Sequence, residues 1–365
     1  MNNNNNNNNL KNLYEKNYCV SSKDKLNLIL EKFQTKSITD FHFEPEKDKI
    51  SVKFRYSNSL INFEIWSHYE YEIFLNKILI KCGLDIIKDF KNNDGSFSYK
   101  NFHFRVSFVK SFYGISCVIR KLENIENVNV NFEENLYNKI FSLIKNKTKM
   151  ILFSGPTTSG KTTSLAHIIN KIKNNYKVHS IENPIEYKIN GVIQVQCEDD
   201  EKSNILKYIL RQDPEVIVVG EIRENNFAKL LFESSNTGHT ILGTIHAKNV
   251  FKCIERIKDL GINETTIIKN VDLILNQRLI PLKCNFCLGK GCEKCFYSGK
   301  NNFTNIFEYF ELTDEAKNLI INSVYIKEID FKKFNFYHFP NEKLKQMLDE
   351  KIITHEEYQG IKNSF

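Results

Sequence analysis

The chain has 365 residues, 41% of them hydrophobic, which supplies enough apolar surface for two or three packed domains. Its 51 basic and 44 acidic side chains leave a formal charge of +7, an excess that favours an anionic partner only weakly. No continuous apolar run reaches the roughly 18 residues of a membrane span, and Met1 is followed by asparagines, so neither a transmembrane segment nor a secretory leader is expected. A cytoplasmic protein is predicted. Nine cysteines, an odd number with four crowded into Cys284, Cys287, Cys292 and Cys295, agree with a reducing compartment.

Asn2 to Asn9 form a polar tract that cannot bury apolar area, so residues 1–19 are expected to be a disordered leader. Leu26, Ile29, Leu30 and Phe33 then recur at helical spacing. Strands are predicted around 41–43, 50–54 and 60–66, followed by a helix near 71–82. Asp94-Gly95 reads as a turn before two alternating runs, 101–109 and 115–121, that predict half-buried antiparallel strands. Residues 20–123 therefore read as an α+β domain, and the polar stretch 124–134 as a linker. Asp40, His42 and Glu44 read as structural, because one imidazole among apolar strand neighbours is a poor metal site.

From 135 to 312, helical segments alternate with apolar strands, which predicts a parallel sheet covered by helices. The apolar run 150–153 leads into Gly155-Pro156-Thr157-Thr158-Ser159-Gly160-Lys161-Thr162-Thr163 and then a helical segment, 164–169. Strand, phosphate-cradling loop and helix thus follow in order. The glycines let backbone N–H groups approach phosphates, Lys161 reaches the β and γ oxygens, and the Thr162 hydroxyl is offered to Mg²⁺. The helix dipole adds attraction at the same end, and ATP binding is predicted.

Further along, Asn190-Gly191 between 186–189 and 192–195 predicts a β-hairpin. The run 178–182 ends at Glu182, with Glu186 just beyond, and 216–219 ends at Gly220-Glu221, where a carboxylate can face the γ-phosphate. His239 and His246 flank the run 240–245. The two CxxC units, Cys284/Cys287 and Cys292/Cys295, deliver four thiolates to one tetrahedral ion, which predicts structural Zn²⁺. Residues 313–365 read as a mostly helical, amphipathic segment.

The loop at 155–162, the acids at 182 and 186, the strand closing on Gly220-Glu221-Ile222-Arg223 and the two histidines occur in the order P-loop, Asp box, Walker B and His box. In this the chain resembles the secretion ATPases of type II secretion, type IV pilus and competence systems, most of all their compact competence-type members without an extra leading domain. The likeness runs from about residue 20 to 312, with 39–45, Asn93-Asp94-Gly95, Arg105-Val106-Ser107 and Arg120 resembling pieces of the family's first domain. It implies an α/β protein: a RecA-like P-loop ATPase core, a smaller N-terminal α+β (PAS-like) domain and a C-terminal zinc-knuckle and helical segment.

The resemblance also implies roles. Lys161 and Thr162 would handle phosphate and Mg²⁺, Glu221 would orient or deprotonate the attacking water, and Arg105 and Arg120 would reach the triphosphate. Glu182 and Glu186 look like the Asp-box acids, and His239 and His246 like the γ-phosphate sensors. Two positions depart from wider patterns: Asn183 stands where the family's aspartate is usual, and Gly220 where many P-loop proteins carry a metal-binding aspartate. Assembly-type members commonly carry a tetracysteine element, retraction members generally do not. The implied protein is a homo-hexameric cytoplasmic motor, held peripherally at the inner face of the plasma membrane by a platform protein, that hydrolyses ATP to drive pilus or pseudopilus assembly or secretion. The alternative is a RecA-like nucleic-acid motor. Against it, the basic excess is spread along the chain without an arginine-rich stripe or aromatic stacking series, so stable nucleic-acid binding is not expected.

Overall fold

The computed structural model describes residues 25–35, 38–56, 59–84, 92–100, 102–122, 125–127, 130–322 and 334–364. The asparagine-rich leader at 1–19 and part of the 124–134 stretch lie outside these residues. The chain divides into two compact units, Met1–Leu122 and Glu123–Phe365.

In the first unit, α1 (Lys25–Lys32), β1 (Ile38–Pro45), β2 (Ile50–Tyr56), β3 (Ser59–Trp66), α2 (His68–Lys81), β4 (Asn93–Tyr99), β5 (Phe102–Ser111) and β6 (Gly114–Leu122) follow one another. The six strands form one antiparallel sheet in the order β3-β2-β1-β6-β5-β4. Period-two alternation sends Phe41, Phe43, Val52, Phe54, Phe104, Val106, Phe108 and Ile119 to one face. There they bury against Ile29, Leu30 and Phe33 of the α1 segment and Phe74, Ile78 and Leu79 of α2. Helix α2 starts where Ser67 and Glu70 form a reciprocal capping box.

Asp94-Gly95 does not make the predicted turn; it lies inside β4, paired with Ser107 and Val106 of β5. Gly95 is there because α2 ends against it: a Cβ would come within 2.7 Å of the Cys82 side chain. The reversal falls instead at Lys100, in a left-handed conformation with φ 53°.

The second unit contains α3 (Glu134–Lys145), β7 (Met150–Ser154), α4 (Lys161–Ile172), β8 (Val178–Glu182), β9 (Ile193–Gln196), α5 (Lys202–Leu210), β10 (Val216–Val219) and α6 (Asn225–Ser235). It continues with β11 (Thr240–Ile245), α7 (Val250–Asp259), α8 (Glu264–Asn270), β12 (Leu273–Lys283), β13 (Lys300–Glu311), α9 (Asp314–Asn322), β14 (Tyr337–His338), α10 (Asn341–Asp349) and α11 (His355–Ser364). The eight-stranded sheet runs β14-β13-β12-β7-β11-β10-β8-β9, parallel from β12 to β9 and antiparallel on the β13–β14 side. One core packs α3 and α4 on the sheet, and a second packs α5 to α9. Strands β7, β8, β10 and β11 are buried at every residue, which explains the apolar runs of β7 and β10, while β8 buries His179, Ser180 and Glu182 as well. This is the RecA-like core.

The hairpin expected at Asn190-Gly191 is absent. Gly191 does turn, with φ 88°, but β9 adds to β8 in parallel and 186–189 forms no strand. The Gln194 side chain takes the place of a paired strand: its Oε1 accepts from Ile189 N at 2.7 Å and its Nε2 donates to Tyr187 O at 2.8 Å. Among the described residues no helix is long and apolar enough to cross a membrane.

Candidate active site

The site is built at the carboxyl ends of β7, β8, β10 and β11, where a parallel sheet gathers its loops. Residues 155–160 leave β7 and turn into α4. Gly155 has φ 148°, and a Cβ there would meet Ser159 Oγ at 2.5 Å and Gln277 O at 2.6 Å, so only glycine lets the loop close against β12. Helix α4 begins at Gly160 without a side-chain cap, which leaves first-turn amides for an anion. Pro156, Thr157 and Thr158 are exposed on the rim, Ser159 is buried beneath them, and Thr162 and Thr163 sit half-buried on the first turn.

Lys161 is buried, its Nζ donating to Gly155 O and Pro156 O at 2.9 Å each. Burial brings its pKa down to about 8, with Glu221 and Glu186 opposing and Arg278 reinforcing that shift. A triphosphate would restore the charged form, so binding takes up a proton above this value. ATP affinity is therefore expected to be highest below pH 8 and to fall toward tenfold per unit above it. Calorimetric titration with ATP between about pH 7 and 9.5, in buffers of different ionisation heat, checks both affinity and proton uptake.

Glu221 follows β10. Its neighbour Gly220 donates through N to Ile181 O at 2.9 Å and accepts from Thr244 Oγ1, while Ile222 N donates to Thr244 O at 3.0 Å. The carboxylate is thus set between β8 and β11. It accepts from Arg223 Nε at 2.6 Å and lies 3.5 Å from His246 Nε2. Burial, and then the Lys161 charge, hold His246 below its ordinary range against the pull of Glu221, so the imidazole is neutral at pH 7. Lys161, Glu221 and His246 therefore converge. Glu182, buried at the end of β8, accepts from Ser180 Oγ at 2.6 Å and Gln194 Nε2 at 3.0 Å. Burial raises its pKa, those two bonds oppose the rise, and Glu186 adds to it. Glu186 also bears on Lys161.

Asn183 Nδ2 donates to Glu198 Oε2 at 2.8 Å. An aspartate at 183 would set two carboxylates against each other, which gives the amide a local reason. His239 is not brought to this cluster. It precedes β11 at the opposite end, about 23 Å from His246 at some 3.3 Å per strand residue, and its Nδ1 lies 2.9 Å from Thr237 Oγ1.

Arg105 and Arg120 are register partners on the polar face of the first unit's sheet. Arg105 Nη2 donates to Asp94 Oδ2 at 2.8 Å, and Arg120 Nε to the buried Asp40 Oδ1 at 2.6 Å. Arg55 lies opposite Asp40 on the other side, 3.9 Å from its Oδ2, so one row across four strands reads Arg55, Asp40, Arg120 and Arg105, and the two arginines that flank Asp40 reach it. Arg55 is absent from the sequence reading, although its alternation with Val52 and Phe54 puts it on that face. Strand β12 supplies a second omission. Its buried Asn276 and Gln277 and half-buried Arg278 flank the phosphate loop, and the signal was a polar break in an otherwise apolar strand. Asn276 Nδ2 donates to Ser154 Oγ at 2.8 Å.

The four cysteine sulfurs lie within 4.8 Å of one another, with separations of 3.7, 3.7 and 4.0 Å for three of the pairs. A tetrahedral zinc thiolate site with bonds near 2.3 Å has edges of about 3.8 Å, so these residues fit Zn²⁺. Gly291 has φ 91°, and a Cβ would strike Tyr297 O at 2.8 Å, which explains the glycine in the connection. Burial acts to raise the Cys295 thiol, but amide bonds from Cys292 and Gly299 outweigh it and bring it to about 7.

A glycine loop on a parallel sheet, a buried lysine and a strand-end glutamate define a P-loop nucleotide-binding protein of the RecA-like class. The family model described as Type II/IV secretion system protein matches residues 20–358, and the chain belongs to that family. It is 31% identical over 293 residues to the competence protein ComGA of Bacillus subtilis (strain 168), covering 76% of this chain and 80% of that protein. It is 30% identical to the protein transport protein HofB homolog of Haemophilus influenzae, covering 74% of this chain and 61% of that protein, so it spans less than two thirds of the latter's length. The solved structure of the Legionella pneumophila ATPase DotB superposes with a TM-score of 0.72 at 17% identity, over 96% of this chain and 98% of that one, a likeness of fold.

Proposed function

We propose that the chain is an ATPase that hydrolyses ATP to power assembly of a type IV pilus or competence pseudopilus, or type II secretion. It would work as a homo-hexamer on the cytoplasmic face of the membrane, through a platform protein. The observation that carries this reading is the convergence of Lys161, Glu221 and His246 at the mouth of the parallel sheet. Family membership supplies the machinery into which such a site fits.

Bound Mg²⁺·ATP would bring the reactive phosphoanhydride and a charge-neutralising cation. The amides at the start of α4 and the Lys161 ammonium would hold the β and γ oxygens, the Thr162 hydroxyl would ligate the ion, and Glu221 would orient water and accept its proton. Neutral His246 donates a hydrogen bond where charge develops. Arg105 and Arg120 each give one donor to Asp94 and Asp40 and keep the rest of the guanidinium fork for the triphosphate role that the resemblance implies. The four cysteines would hold Zn²⁺ as a structural ion. ATP turnover is expected to rise at least about fivefold with proteoliposomes carrying a pilus or secretion platform protein, and to stay flat with single-stranded DNA. Stimulation by DNA alone would transfer the chain to the nucleic-acid motors.

A further inference from the structure

Strand β9 lies at the edge of the eight-stranded sheet, in parallel register with β8 so that Ser180 faces Gln194 and Glu182 faces Gln196. Side chains two apart on a strand point the same way, so 194 and 196, continued by the extended Glu198 just past the end of β9, form a comb. Gln194 bonds Ile189 N, Tyr187 O and the Glu182 carboxylate. Gln196 Oε1 accepts from Ile185 N at 3.1 Å, and Glu198 accepts from the Asn183 amide. The segment 183–189 has no helix or strand of its own, so these side chains supply partners that a ladder would otherwise provide. On its other side, Tyr187 OH lies 2.9 Å from Thr163 Oγ1 on the first turn of α4.

We infer that β9 is a positioning strand: Gln194 and Gln196, with Glu198 just beyond its end, hold the loop that follows Glu182 and carries Glu186, and register it against the phosphate loop. The inference rests on the ATPase reading for its consequence in turnover and on the hydrogen bonds for its geometry. Glu182 is the pivot, because a buried carboxylate needs donors, and Gln194 gives it one while gripping the loop on both sides. A leucine at 194 keeps the bulk and removes every one of these bonds.

Gln194→Leu is expected to lower kcat about tenfold while the apparent KM for ATP moves less than about threefold. In a Glu182→Leu background, which removes the acceptor that Gln194 joins to the loop, the same change should cost clearly less than about tenfold. Additive losses would overturn the inference. Hydrogen exchange gives a second reading: Gln194→Leu should deprotect the Ile189 amide and the exposed-site change Gln196→Ala the Ile185 amide, with β8 and β10 unchanged. Unaltered exchange at both amides would also overturn it. If Lys161→Ala hydrolyses ATP as fast as the natural chain, the ATPase reading fails instead, and the exchange result still decides the positioning role.

Discussion

Glu221→Gln is expected to bind ATP with near-natural affinity and to hydrolyse it about 10²- to 10⁴-fold more slowly, the range that a positioned general base supplies. The substitution keeps shape and hydrogen-bond reach and removes the charge. Backbone bonds fix residues 220–222 between β8 and β11, so the loss reports the carboxylate rather than a displaced loop. Lys161→Ala separates the two functions, since it removes the ammonium beside the loop and should abolish binding and turnover together. Nucleotide affinity by calorimetry beside single-turnover hydrolysis measures the pair. Undiminished hydrolysis in Glu221→Gln would remove the acid from the mechanism, and attention would pass to Glu182 or Glu186.

The phosphate loop was legible because its chemistry is local: a strand, the glycines and a helix start within about a dozen residues. Glu221 was legible from an apolar strand that stops at an acid. The cysteines were legible from spacing alone, and their sulfurs do converge.

What escaped the sequence is set by contacts between distant segments. Asn190-Gly191 carried a hairpin signal, but Gln194 satisfied the backbone of 187 and 189 with its side chain and left β9 to pair with β8. Gly95 looked like a turn residue because nothing in its neighbours announces that Cys82, 13 positions earlier, ends a helix against it. His239 matched a motif, yet strand direction puts it at the far end of β11. The polar break at 276–278 had no local meaning until β12 was seen beside β7.

Metal removal is expected to unfold the knuckle and spare the rest. The segment between β12 and β13 keeps Phe286, Leu288 and Tyr297 exposed at 65%, 76% and 62%, so it buries little apolar surface beyond Cys284 and Cys295. Ordering costs roughly 1–2 kcal/mol per residue, which this burial cannot offset. A structural zinc contributes an apparent 10–16 kcal/mol or so in small modules, and here it would be the dominant stabilising term. The flanking strands have other supports, because Ile280 and Ile306 pack against Leu344, Met347 and Ile353, and Lys300 pairs with Glu357 at 2.7 Å. Leu279, beside the phosphate loop, is five residues from Cys284, about 17 Å along a strand. Chelation, or Cys287→Ser, should therefore reduce zinc from about one ion per chain and raise proteolysis within 285–298 more than about tenfold. ATP turnover of the isolated protein should change less than about twofold, because the strand between the two sites remains paired. A metal-free chain whose knuckle already resists protease would show that the four thiols are held by the fold and not by an ion.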